Sequence, residues 1–172
     1  MLVVSCSHGN HLGSSIAKKL NTNHSQLTVN KFPDDEILIK FNSDLKNKKV
    51  ILVQSFYNNI SDCLVEAVLA SATAKELGAK KIILVAPYFP YLRQDKRFHA
   101  GESVSQKIIG GLIDNYFDEV YVVDPHLHRK NSLGKVFRIK SKKITANYLI
   151  AEYIRKNIKS PVIIGPDEES YK

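Results

Sequence analysis

The chain has 172 residues, 44% of them hydrophobic, and its 25 lysines and arginines against 17 acidic residues leave a net charge of +8. That length and apolar content suit one domain with a core of its own, and the charge favours anionic partners, nucleotide phosphates or a nucleic acid. Two cysteines exclude a disulfide scaffold or a zinc module, and no apolar run approaches the roughly 20 residues of a membrane span, so a soluble cytoplasmic protein with no membrane partner is expected.

In chain order, a β-branched run at residues 2–5 predicts the first strand, and a helical pattern follows at 12–20. Strands are predicted next at 27–32, 37–41 and 50–54, the first two separated by a turn. Ser61 is a suitable N-cap for a helix carrying Leu64, Val65, Val68, Leu69, Ala72 and Leu77 at helical spacing, a stripe expected to be core, with Gly78 as its stop. A strand at 82–86, a helix at 103–116 and strands at 120–124 and 136–139 come after it. Thr145 then caps a helix at 146–157, with Pro161 beyond its end, and a last strand is predicted at 162–164. Residues 42–49 and 140–143 read as basic polar connectors. Such alternation of short strands with helices predicts a single α/β domain, a parallel sheet with helices on both faces.

Four spots carry polar residues that a purely structural domain does not need. The strand at 82–86 empties into Pro87-Tyr88-Phe89-Pro90-Tyr91-Leu92-Arg93-Gln94-Asp95-Lys96-Arg97, where the cations would face a polyphosphate and the aromatics would offer faces for a base. Phe32-Pro33-Asp34-Asp35-Glu36 is either an ordinary turn or a set of carboxylates and a ring for a base. Asp124-Pro125-His126-Leu127-His128 places imidazoles behind a strand, as structural histidines or as metal ligands beside carboxylates. Gly165-Pro166-Asp167-Glu168-Glu169 again sets acids after a strand. A Walker loop is absent, the glycines form no dinucleotide fingerprint, and Ser5, Cys6, Ser7 and His8 form no persuasive nucleophile and base pair.

Taken in order, these motifs resemble ribose-phosphate pyrophosphokinase, the synthetase of phosphoribosyl pyrophosphate, along essentially the whole chain. The marks are Phe32-Pro33-Asp34-Asp35-Glu36 for the family's Phe-Pro-Asp-Gly-Glu, residues 87–96 for its Pro-Tyr-x-x-Tyr-x-Arg-Gln-Asp-Arg/Lys, and Asp124-Pro125-His126 for its Asp-Leu-His. The resemblance implies a phosphoribosyltransferase-like fold, with residues 1–172 as the N-terminal domain. It implies transfer of the β,γ-diphosphoryl group of ATP to O1 of ribose 5-phosphate, with Mg2+, in a homo-oligomer. Carried over residue by residue, Phe32, Asp34 and Glu36 would hold the adenine of ATP bound to a neighbouring subunit. Arg93 and Gln94 would sit at its base and ribose, Asp95 and Lys96 would continue that wall, and His126 and Asp167 would face the metal. Asp35 departs from the family's glycine, and Pro125, His128 and Glu168-Glu169 are further departures. No catalytic residue is assigned within this sequence, because the family's Lys-x-Arg loop and its ribose 5-phosphate loop fall beyond Lys172. The polypeptide alone is therefore expected to be inactive. A non-catalytic ATP- or subunit-binding relative is the alternative; a nucleic-acid-binding domain rests on charge alone, and nucleic acid is not the expected partner.

Overall fold

The computed structural model describes residues 1–127 and 132–165. Six strands, β1 (Leu2–Ser5), β2 (Asn23–Gln26), β5 (Lys49–Val53), β6 (Lys81–Ala86), β7 (Glu119–Val123) and β8 (Lys140–Ile144), form one parallel sheet in the order β2-β1-β5-β6-β7-β8. The inner strands are continuous apolar runs because both of their faces are covered. Even-numbered residues such as Val4, Val50, Leu52, Ile82, Leu84, Val120 and Val122 point to one face, where they pack with α2 (Ile60–Glu76) and α3 (Ser105–Tyr116). Val3, Ile51, Val53 and Ile83 point to the other and meet Ala17 and Ile16 of α1 (Asn10–Lys19). The parallel α/β expectation, with helices on both faces, is met.

β3 (Thr28–Lys31) and β4 (Ile37–Lys40) match the strands expected near them, but they pair antiparallel as a separate hairpin. Val29 and Ile39 seat that hairpin on the same core as α2. Lys31 adds a surface link, its Nζ lying 2.7 Å from Asp62.

Several details differ from expectation, each for a physical reason. Asn23–Gln26 forms β2 without an apolar residue, because it is an edge strand held by its backbone ladder to β1. The strand expected at 136–139 is a turn that follows a 3-10 helix at Leu133–Lys135, and Phe137 there is a buried plug. The connector expected at 140–143 is instead β8, whose lysines stand along an outer strand where charge is tolerated. The α2 stripe is also displaced: Ala67, Ala70 and Ala74 meet the sheet, whereas Val65, Leu69 and Leu77 are exposed. Small side chains let the helix axis approach the strands. Its N-cap is Asn59 in the left-handed region rather than Ser61, and Gly78 does end it, with φ +82°. Residues 162–164 belong to no strand among the described residues and are more than 80% exposed. The final helix, α4 (Asn147–Asn157), has Thr145 Oγ1 accepting from the Asn147 N–H at 3.2 Å and buries none of its residues.

Candidate functional site at the carboxyl ends of β6 and β7

Strand order reverses between β1 and β5, the position where an open α/β sheet usually leaves a ligand crevice. Here that position is plugged. Glu66 of α2, 2% exposed, accepts from the Ser7 N–H at 2.7 Å, the Ser7 hydroxyl at 2.5 Å and Gln54 Nε2 at 3.0 Å. The His8 N–H donates to Gln54 Oε1 at 3.0 Å, and the His8 ring stacks on Tyr57 with centroids 4.4 Å apart. Cys63 Sγ lies 3.2 Å from His8 Nδ1, yet burial, reinforced by Glu66 and Asp62, pushes its thiol up to about 11. Cys6 is likewise raised, by burial first and Glu66 second. A neutral thiol and a hydroxyl committed to a carboxylate supply no nucleophile, in line with the weak reading of Ser5 to His8.

The open space lies two strands further along. After Ala86 the chain leaves β6 through Pro87 and Tyr88 and turns back into the core at Phe89, which is 5% exposed. Phe89 meets Phe56 and Phe137 edge-on, with centroids 5.6 and 5.3 Å away. Its ring is a core anchor, which corrects the expectation that it offers a face for a base. Leu92, 3% exposed, makes the second anchor, and Tyr91 between them has φ +60°, outside the comfortable range for a residue with a Cβ. Pinned at both points, the segment lifts Arg93 and Gln94 into solvent as a lip.

A cavity of about 420 Å³ lies beneath that lip, between Tyr88, Tyr91, Arg93 and Gln94 on the β6 side and Asp124, Pro125 and His126 on the β7 side. A second, of about 560 Å³, is bounded by Arg93, Gln94, Lys96, Phe98, His99 and Glu102. Both volumes suit a small-molecule ligand of roughly 300–1,000 Å³. Arg93 and Gln94 line both and so form the shared wall. In the second cavity Lys96 Nζ sits 5.0 Å from the Phe98 ring centroid. Glu102, which sequence reasoning missed, organises this outer loop: its carboxylate accepts from the Phe98 and His99 N–H groups at 3.0 Å and lies 2.6 Å from His99 Nδ1. These contacts hold the Glu102 carboxyl below its usual range, the His99 side chain first among them. Arg97, also expected to offer charge, spends Nε on the Glu102 carbonyl at 2.6 Å.

The expected site residues thus divide. Arg93, Gln94 and His126 meet at one cavity, and Lys96 lines the next. Asp95 lines neither. Asp124, at φ +39°, accepts the Ala146 N–H at 2.9 Å and ties the end of β7 to the start of α4. Phe32, Asp34 and Glu36 are exposed on the β3–β4 turn and line neither cavity. In that turn the Phe32 N–H donates to the Glu36 carbonyl at 2.9 Å and Asp35 takes φ +68°. Asp35 thus occupies a left-handed position, which an aspartate tolerates better than most residues. Asp167, His128 and Glu168-Glu169 lie outside the described residues. Among the described residues no group of three or more His, Cys, Asp or Glu could hold a metal ion.

A family model described as the N-terminal domain of ribose phosphate pyrophosphokinase matches residues 1–116, a span that runs from β1 through the lip to the end of α3. The chain belongs to that family. Among curated relatives, the ribose-phosphate pyrophosphokinase of Methanobrevibacter smithii is 32% identical over 99% of this chain and 56% of its own length. That of Methanothermobacter thermautotrophicus is 34% identical over 97% of this chain and 57% of its own. The chain therefore spans just over half the length of the ribose-phosphate pyrophosphokinases it matches. Its fold is that of phosphoribosylpyrophosphate synthetase from Mycobacterium smegmatis, with a TM-score of 0.80 over 91% of this chain and 52% of that one, at 24% identity.

Proposed function

We propose that this chain is the ATP-side half of a ribose-phosphate pyrophosphokinase, contributing to transfer of the β,γ-diphosphoryl group of ATP to O1 of ribose 5-phosphate. The observation that carries the reading is the Arg93–Gln94 wall, set between two cavities at the ends of β6 and β7. A braced loop holds the arginine backbone in place before a polyphosphate arrives, so that only the side chain is left to order, which lowers the cost of binding. In this reading Arg93 and Gln94 bind and orient the nucleotide, and Lys96 extends the positive wall. Phe32, Asp34 and Glu36, exposed and outside both cavities, serve the adenine of a second copy. Ribose 5-phosphate is held by the part of the family's length that this chain does not span.

The donor set beneath the lip fits magnesium only in one form. Asp124 is occupied by the α4 backbone and His126 is a nitrogen ligand, whereas magnesium prefers oxygens and keeps several waters. It would therefore enter as Mg-ATP, the phosphates supplying most ligands, and His126 and Asp167 are the residues that would hold it. When bound, the metal neutralises charge that develops on the phosphoryl oxygens. A cytoplasmic setting goes with this reading, since Cys6 and Cys63 are free thiols.

Calorimetric titration of Mg-ATP into the chain and into Arg93→Ala tests the assignment. Loss of a charge-assisted contact is expected to weaken binding by about 10- to 100-fold. Heat that is unchanged in the variant, or absent with both proteins, refutes it. His126→Ala is expected to weaken the magnesium dependence of binding without lowering the melting temperature.

A further inference from the structure

The backbone that carries Arg93 is held from below, by a residue that lines neither cavity. We infer that Gln106, in the first turn of α3, is the positioning residue for the Arg93–Gln94 lip; its effect on nucleotide rests on the function proposed above. Gln106 is 2% exposed. Its Nε2 donates to the Leu92 carbonyl at 2.9 Å, a buried bond, and its backbone N–H donates to the Gln94 carbonyl at 3.2 Å. One residue therefore grips the peptide unit before Arg93 and the one after Gln94, so that its two bonds bracket the Arg93–Gln94 pair.

Two further observations give that grip its weight. The Arg93 side chain makes no ion pair or hydrogen bond with any described residue, so the path of its backbone alone fixes the point from which it extends. Just before it, Tyr91 holds a left-handed conformation that persists only when neighbouring structure imposes it. Gln106 supplies a fixed point on the far side, anchored in a helix whose Gly110 and Ile113 are buried against the core. Its Oε1 has no hydrogen-bond partner among the described residues. A leucine would fill similar volume without leaving a buried acceptor unpartnered, so the gain from the amide is its bond to Leu92.

The test combines amide hydrogen exchange, which needs no ligand, with calorimetry using Mg-ATP. In Gln106→Leu, exchange across residues 92–96 is expected to rise about tenfold or more, with β6 and residues 109–116 of α3 unchanged, and Mg-ATP affinity is expected to fall about tenfold. Gln106→Glu has a similar shape but sets a carboxylate oxygen against the Leu92 carbonyl. Affinity and protection, each relative to the native chain, are expected to be low at pH 8 and to recover as the pH falls and the carboxyl gains a proton to donate. Unchanged exchange at 92–96, an equal rise throughout α3 and β6, or a Gln106→Glu variant without pH-dependent recovery overturns the inference. If the native chain binds no Mg-ATP while the exchange pattern appears as stated, the positioning role stands and the nucleotide reading fails.

Discussion

Phe89→Ala is the substitution that separates a structural lip from a stacking platform. The ring is 5% exposed and meets two other buried phenylalanines edge-on, Phe56 at 5.6 Å and Phe137 at 5.3 Å. Truncation removes the transfer free energy of the ring and leaves a cavity that Phe56 and Phe137 fill only in part. The expected loss is about 3–5 kcal/mol, with the two ring contacts at ~0.5–1.5 kcal/mol each lying within that figure. Against a total stability of ~5–15 kcal/mol this is a large fraction, and for a domain of this size it corresponds to a fall in melting temperature of roughly 6–20 °C. Urea and thermal denaturation of the native chain, Phe89→Ala and Tyr88→Ala measure it. Tyr88 is 47% exposed and its truncation is expected to cost far less. A loss of no more than about 0.5 kcal/mol for Phe89→Ala, as at an exposed position, refutes the anchoring role.

Three further outcomes are expected. At the amino ends of β6, β7 and β8, Glu119 lies 2.6 Å from Lys81 and 3.1 Å from Lys140, and the Lys81 bond above all draws its carboxyl down to about 2. Because the folded value is depressed, the stability it contributes is present above about 4.5 and is lost as pH falls toward 2; urea titrations of the native chain and Glu119→Gln should converge across that window, and a pH-independent gap contradicts the pairing. Both thiols are held neutral by burial, so alkylation by iodoacetamide at pH 8 should be slow in the folded chain and rapid in urea, whereas fast labelling when folded contradicts the packing around Cys63. A Cβ at Gly110 would lie 2.7 Å from the Val136 carbonyl oxygen, whereas one at Gly111 meets nothing within 4 Å; alanine should therefore cost about 1–3 kcal/mol at Gly110 and stabilise by up to ~1 kcal/mol at Gly111, with equal effects contradicting the close approach of α3.

The four inner strands were legible in the sequence because a strand covered on both faces is apolar throughout, as Val50–Val53 and Ile82–Ala86 are. β2 and β8 were not. An outer strand keeps its ladder without an apolar side chain, so Asn23-His24-Ser25-Gln26 and Lys140-Ser141-Lys142-Lys143 carry no pattern that marks them. The inward face of α2 was hidden for a related reason: alanines meet the sheet and larger residues face out, which reverses the usual reading of a helical stripe. At the candidate site, Arg93 was singled out from its place after a strand, a rule about the end of a sheet where ligands bind, whereas Gln94 and the metal-facing role of His126 came from the resemblance to the family. Glu102 and Gln106 were not found, because each acts on backbone atoms of a loop whose path cannot be read from residue types. The one signal was a buried-type glutamine at the start of an apolar helix, which becomes telling only once that helix is seen under the lip.

One consequence of β8 concerns growth of the sheet. The outermost strand bears Lys140, Lys142 and Lys143, all exposed, on a molecule that already has an excess of eight positive charges. Lys140 is paired with Glu119, whereas Lys142 and Lys143 add positive charge along the rim, so two such rims brought together repel one another. The lysines of β8 therefore disfavour pairing of this border with the same border of another copy, whereas the uncharged Asn23–Gln26 edge carries no such charge.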